Sequence, residues 1–283
     1  MPDLHKRSAS LILAGVFFGT TGTAQALGPK NISPLAVGSA RLLLGSLCLY
    51  LLHHYATKNS VKIPRTDLWL AAIGVALYQL TFFSAVKSTG VAIGTVTALG
   101  SAPALTGLIA YFLTREKPTI RWFIATLITT TGIIVLSTSK GTTDFNVKGF
   151  MLALGAGASY SLFAVASRRS LAVGVGITEA MFKIFALGAI LSFPLLFVGN
   201  PSWLFTFRGS LMIIWLAVVP TALAYIAYAY GLVRVKATTA STLILAEPAT
   251  ATILASVVLS ESINLRGWAG IGIVILGLLY LAI

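Results

Sequence analysis

The chain is 283 residues long, 57% hydrophobic and only 10% charged, with a mean hydropathy of +0.92. A soluble domain carries about 25% charged residues, so this composition excludes an ordinary water-soluble core and makes lipid the solvent for most of the chain. The net charge of +13 falls in short clusters between apolar runs, which is the pattern of loops facing anionic lipid and not of a nucleic-acid surface.

Ten apolar stretches follow one another, at 9–27, 33–54, 67–86, 90–114, 119–138, 149–170, 177–198, 210–232, 237–260 and 265–283. Each is long enough to cross a bilayer as a helix, and the linkers leave no room for an extramembrane domain. Segment 1 follows Lys6 and Arg7 and contains Ala24-Gln25-Ala26, so it has the outline of a cleavable signal peptide. Its polar residues Thr20, Thr21, Thr23 and Gln25 fit a retained helix better. There they serve either as interhelical glue or as the polar wall of a wet cavity.

Segment 2 carries Arg41 near its middle and ends on His53–His54, which read as interfacial. Its Cys48 is the chain's one cysteine, so no intrachain disulfide and no zinc spacing exist. Segment 3 holds Tyr78, Gln79 and Phe82; segment 4 holds Thr97, Gly94, Gly100, Ser101 and Pro103. Segment 6 holds Tyr160 and Phe163. In segment 7, Glu179 and Lys183 are four residues apart and predict an ion pair along one helix face. Segment 8 places Tyr225 and Tyr228 on one face, where mid-membrane hydroxyls need partners. Segment 9 holds Thr242 and Glu247-Pro248. An intramembrane carboxylate beside a helix-breaking proline either binds an ammonium group, holds a coupling proton, or is structural. Segment 10 carries Gly270, Gly272 and Gly277, expected at packed helix faces.

The chain repeats itself. A shift of 145 residues places Pro103 on Pro248, Glu116 on Glu261, Arg121 on Arg266 and Gly132 on Gly277; earlier, a shift of 142 places Arg41 on Lys183. Residues 1–140 and 145–283 therefore read as two copies of one five-helix unit. Five is odd, so the copies insert with opposite orientation, an arrangement frequent among secondary transporters. Segment 6 is the counterpart of segment 1, which argues that segment 1 is kept. The expected fold is an all-α integral membrane protein of ten transmembrane helices in two inverted repeats.

With a cytoplasmic N-terminus, the inner loops hold Lys6, Arg7, Lys58, Lys62, Arg65, Arg115, Lys117, Arg121, Arg168, Arg169, Arg234 and Lys236, twelve in all. The outer loops then hold Lys30, Lys87, Lys140, Lys148, Arg208 and Arg266, six in all. Twelve against six predicts a multi-pass protein of the cytoplasmic membrane with both termini on the cytoplasmic side.

The five-plus-five pattern resembles the EamA-like branch of the drug/metabolite transporter superfamily over essentially the whole chain. The resemblance is carried by Gly19-Thr20-Thr21-Gly22, Arg41, Pro103, Glu116, Gly132, Ala246-Glu247-Pro248, Glu261 and Gly277. It implies that helices 1, 3, 4, 6, 8 and 9 line a central cavity while 5 and 10 are scaffold. The expected substrate-contacting set is then Thr20, Thr21, Gln25, Arg41, Tyr78, Gln79, Phe82, Thr97, Ser101, Tyr160, Phe163, Tyr225, Tyr228, Thr242 and Glu247. Pro103 and Pro248 are the expected hinges. Members that export aromatic amino acids tend to carry tryptophan in cavity helices. Here most of Trp69, Trp122, Trp203, Trp215 and Trp268 fall near segment ends, which places them in interfacial belts.

No H-E-x-x-H, G-x-S-x-G or P-loop is present. The expected function is secondary active export of a small metabolite, an amino acid foremost, by a monomer working by alternating access, with lipid around it, a proton as the candidate coupling ion, and neither cofactor, metal nor nucleic acid. The alternatives are import or exchange of another metabolite or of a cationic drug. A membrane enzyme or receptor without flux is the reading from a different class, and it predicts chemical turnover, or binding without movement.

Overall fold

The computed structural model describes residues 2–56, 61–138, 146–260 and 262–282. Lys58, Lys140 and Glu261, used in the charge count and the repeat alignment, lie outside the described residues, as does the Lys87 side chain. The elements are α1 (Pro2–Leu27), α2 (Pro34–Tyr55), α3 (Arg65–Thr114), α4 (Ile120–Thr138), α5 (Val147–Ala172) and α6 (Ile177–Ser192) in the first part of the chain. They continue as α7 (Phe207–Ala217), α8 (Ala224–Leu232), α9 (Ala237–Leu243), α10 (Ala246–Leu259) and α11 (Leu265–Ala282). No strand occurs among the described residues.

All ten apolar segments are present. Among the described residues nine form helical stretches long and apolar enough to cross a membrane, and segment 5 is a shorter apolar helix, Ile120–Leu136. Segments 3 and 4 are the two arms of α3, Arg65–Val86 and Thr97–Thr114. A straight helix of that length would span about 75 Å, far beyond a bilayer. Instead the chain doubles back: a Cβ on Gly94 would lie 3.1 Å from the Cα of Val86, whereas eight residues of straight helix separate two atoms by about 12 Å. Large apolar side chains such as Leu47, Phe112, Leu127, Ile190 and Leu276 stay exposed, as lipid-facing residues do.

Segments 3 and 4 (α3) pack on segment 6 (α5), and segment 1 (α1) packs on segment 8 (α8) and segment 9 (α10). Segment 2 packs on segment 7 and segment 5 on segment 10. Exchanging the two halves maps this set of neighbours onto itself. Local backbone repeats in the same register. Arg115 and Ser260, 145 residues apart, both end their helices in the left-handed conformation with φ 56°, each closing the helix C-terminus. In the α4–α11 contact Gly132 lies against Val274 and Gly277 against Thr129, and both pairs are again related by 145.

Several local expectations change. Trp122 and Trp203 are buried against other helices and do not face outward as belt residues would; the Trp122 indole donates to the Thr238 carbonyl at 2.8 Å, bracing α4 on α9. Gly272 meets nothing within 4 Å, so it is not a packing glycine. The second arm of α3 runs through Pro103 without a break, while segment 9 is broken ahead of Pro248, between α9 and α10. The Lys183 ammonium meets the Glu179 carboxylate, as the spacing predicts.

The two ends of the bundle differ. At one end Arg169 pairs with Asp67 at 3.2 Å, Arg168 Nε donates to the Val235 carbonyl at 3.1 Å, and Arg7 donates to the Tyr230 carbonyl at 2.7 Å. Residues 159–171 of α5 and all but Thr239 of α9 are buried there apart from a few partly buried positions in α5. Toward the other end, residues 250–259 of α10 and 20–27 of α1 all keep some exposure. Burial is uneven at both ends: residues 50–56 of α2 and 111–114 of α3 also keep exposure at the basic end, and residues 36–42 of α2 are buried at the opposite one.

Candidate functional site

Two transmembrane segments are interrupted inside their length. The first is segment 8. Pro220 has no N–H to give to the Leu216 carbonyl, and the chain answers with a π turn over Val218–Leu223. The freed carbonyl is taken by the Thr221 hydroxyl at 2.7 Å, and the Thr221 oxygen in turn accepts from Arg41 Nε at 3.0 Å. Arg41 reaches it from α2 and is 8% exposed. Gly45, one turn further along α2, faces the Thr221 side chain, so a larger residue there would displace the acceptor.

The second break is in segment 9. α9 ends at Leu243, and two tight turns follow, with Leu245 N–H bonded to the Thr242 carbonyl at 3.0 Å and Glu247 N–H to the Ile244 carbonyl at 2.9 Å. α10 then starts with Ala246-Glu247-Pro248. A proline in the first turn removes a donor that has no intrahelical partner anyway, so Pro248 begins a half-helix and does not bend a whole one. Glu247 sits at the positive end of that half-helix. α1 approaches closely through two glycines: a Cβ on Gly15 would lie 3.0 Å from the Ile244 carbonyl, and one on Gly19 2.8 Å from the Glu247 carbonyl.

Arg41 lies close enough to act electrostatically on Glu247, and it reaches the Tyr225 hydroxyl as well. Around this pair stands an aromatic wall built from both halves. Tyr225 contacts Phe185 at 4.3 Å, Phe18 at 4.8 Å and Phe163 at 5.5 Å between ring centroids. The Tyr160 and Tyr228 hydroxyls are 3.4 Å apart. Tyr78 stacks on Phe82 at 5.2 Å and reaches Tyr160 at 6.4 Å. Phe163 and Tyr228 are fully enclosed, whereas Glu247 and Tyr78, set among these residues, keep part of their surface free.

The structure thus gathers Arg41, Tyr78, Phe82, Tyr160, Phe163, Tyr225, Tyr228 and Glu247. Gln79 is buried beside Gly38 with its side-chain oxygen lacking a hydrogen-bond partner. Thr21 and Gln25 lie partly exposed on the looser part of α1, and Thr97 is partly exposed on the second arm of α3. Ser101 donates to the Ala98 carbonyl and is packed under Gly157. Thr20 belongs to a helix contact: it donates to the Phe17 carbonyl and accepts from the Trp215 indole at 3.2 Å. Thr242 is sealed, its hydroxyl 2.9 Å from that of Thr126 on α4. These two therefore sit in the scaffold and not on the aromatic wall. Pro103 is buried within its arm. Sequence reasoning missed Phe18, Phe185 and Thr221. The one available signal was Pro220 inside segment 8. Among the described residues no group of three His, Cys, Asp or Glu side chains could hold a metal ion.

At the basic end Glu116 is partly buried close to Lys236, Arg168 and the Ala237 N–H, and burial outweighs them, pushing its carboxyl up from the usual value. A carboxyl that binds its proton more tightly when folded stabilises the acid side: stability falls as pH rises from the ordinary value, about 4.3, toward the raised one, and is level above it. Thermal unfolding in detergent followed against pH should show this downward step in the wild type and a shallower one in Glu116→Gln. An unchanged profile would remove Glu116 from the account.

The EamA-like transporter family matches the chain twice, over residues 8–138 and 147–283. The uncharacterized transporter YwfM of Bacillus subtilis is 38% identical over 277 residues, which are 97% of this chain and 93% of that protein. An uncharacterized transporter of Archaeoglobus fulgidus is 24% identical over 279 residues, 96% of this chain and 97% of its own. A solved crystal structure superposes with a TM-score of 0.84 at 19% identity, covering 97% of this chain and 95% of that one, which shows the fold. The chain is a multi-pass membrane protein and belongs to the EamA-like transporter family.

Proposed function

We propose that the protein exports amino acids from the cytoplasm by alternating access, as a monomer, with the site between the two broken helices as the substrate site. One observation carries this reading: Arg41, buried in α2, and Glu247, at the start of a half-helix, lie within electrostatic reach of each other beside a cluster of aromatic rings. A substrate that bears both an ammonium and a carboxylate matches both groups at once and adds no net charge to a site inside the membrane. The phenolic hydroxyls of Tyr78, Tyr160 and Tyr228 supply further hydrogen-bonding groups.

The excess of loop charges at the basic end supports a cytoplasmic position for it. In an outward-facing state the basic end closes over the site. Inward opening then separates the group around α1, α8 and α10 from the group formed by α3 and α5. The half-helix breaks at 218–223 and 244–245 are the backbone positions that absorb the change.

The test is counterflow of radiolabelled amino acids in liposomes holding the purified protein, with and without a pH gradient, beside Glu247→Gln. Flux that responds to the gradient and is lost in Glu247→Gln is the expected result, with Glu247 carrying the coupling proton. Counterflow indifferent to pH makes the protein a facilitator. Absence of flux for every amino acid, together with flux of an organic cation, would replace the zwitterion reading with that of a cationic-drug carrier.

A further inference from the structure

A cavity of about 440 Å³ opens at the basic end, lined by Arg168, Leu171, Ala172, Val233 and Arg234. Arg168 spends its Nε on the Val235 carbonyl, which leaves its two terminal nitrogens for another acceptor. Arg234 is exposed and makes no side-chain hydrogen bond or ion pair among the described residues. Nearby, Asp67 is taken by Arg169 and Glu116 lies between Lys236 and Arg168. Four cations, Arg168, Arg169, Arg234 and Lys236, thus stand against two carboxylates, and the cavity keeps an excess of positive charge. The rest of its lining is aliphatic.

Two guanidinium groups beside three aliphatic side chains match an anion joined to apolar carbon. A phosphate diester takes paired N–H donors from arginine, and the glycerol carbons and first methylenes next to it cover Leu171, Ala172 and Val233. The cavity also crosses the seam of the molecule. Arg168, Leu171 and Ala172 end α5, which packs on α3; Val233 and Arg234 follow α8, which packs on α1. A ligand held by both arginines bridges the two helix groups whose separation opens this end.

We propose that Arg168 and Arg234 form a phosphate site, filled by the headgroup of an anionic phospholipid, that staples the basic end shut. Its placement in the cytoplasmic leaflet rests on the orientation proposed above. Such a site favours the outward-facing state in proportion to the anionic lipid present, because the ligand binds one state and not the other.

The experiment is thermal unfolding of the purified full chain in detergent, with phosphatidylglycerol, phosphatidylcholine or inorganic phosphate added. Phosphatidylglycerol should raise the unfolding temperature saturably in the wild type and in Arg234→Lys. In Arg234→Gln the shift should fall by roughly half or more, since one of the two guanidinium partners is gone. A shift of that behaviour with inorganic phosphate alone would keep the site and make its ligand the free anion. Equal phosphatidylglycerol shifts in wild type and Arg234→Gln, or no shift with either phosphate source, would overturn the proposal. Ala172→Cys in a Cys48→Ser background then reads orientation. Labelling of intact cells by an impermeant maleimide would overturn the cytoplasmic placement while leaving the lipid result standing.

Discussion

Replacing Arg41 with glutamine is expected to lower stability by about 2–3 kcal/mol and to reduce flux by roughly two orders of magnitude. The change removes the cation that acts electrostatically on Glu247 and leaves that carboxylate uncompensated inside the bundle, where removing one partner of a buried pair is the expensive step. It also vacates the acceptor on Thr221. The double variant Arg41→Gln/Glu247→Gln should therefore be more stable than Arg41→Gln alone, with a coupling of about 1–2 kcal/mol by thermal unfolding, while flux stays lost. Strict additivity of the two single variants would show that the charges do not interact and would remove the central argument for a zwitterion. Arg41→Lys separates charge from geometry. An ammonium keeps the balance with Glu247 but lacks the planar fork that joins Thr221 to a second acceptor, so it should restore most of the stability and only part of the flux.

The segments and their duplication were legible because both depend on quantities a sequence displays directly. Runs of about 20 apolar residues report span length, and a fixed shift reports a repeat; the paired left-handed caps at Arg115 and Ser260 show that the repeat is also one of backbone. Charged and aromatic members of the candidate site were legible for a related reason. Arg41, Glu247 and Tyr228 are costly in lipid and must face something polar. Side chains with a cheap local alternative were not legible. Thr20 and Thr242 satisfy themselves on neighbouring helices, and nothing in their spacing separates that from a cavity wall. Phe18 and Phe185 are apolar residues in apolar helices, so their place on the aromatic wall comes only from tertiary packing. Proline was ambiguous in the same way. Pro103 is absorbed within a helix, Pro220 creates a π turn, and Pro248 opens a half-helix. Which outcome follows depends on whether a neighbour, here the Thr221 hydroxyl, takes the orphaned carbonyl.

Glycine makes the sharpest case, and the α11 glycines give the second large effect. Gly270→Leu should destabilise the protein by about 3 kcal/mol, whereas Gly272→Leu should stay within about 0.5 kcal/mol of the wild type. A Cβ on Gly270 would lie 2.6 Å from the Leu136 backbone nitrogen and 2.9 Å from the Gly132 carbonyl. Both are main-chain atoms and cannot rotate aside, so α4 and α11 must move apart. Gly272, two residues on, is exposed and has open space around it. Helices that associate in lipid do so through close backbone approach more than through a hydrophobic drive, so a separation here removes most of what holds this pair. Gly132 faces Gly270 across the same contact, so Gly132→Leu should match Gly270→Leu: its Cβ would lie 2.7 Å from the Val274 nitrogen and 3.0 Å from the Gly270 carbonyl. Unfolding temperatures of the three variants in one detergent decide the matter. A large loss in Gly272→Leu, or none in Gly132→Leu, would show that the α4–α11 pair is not the close backbone contact on which the two halves are joined.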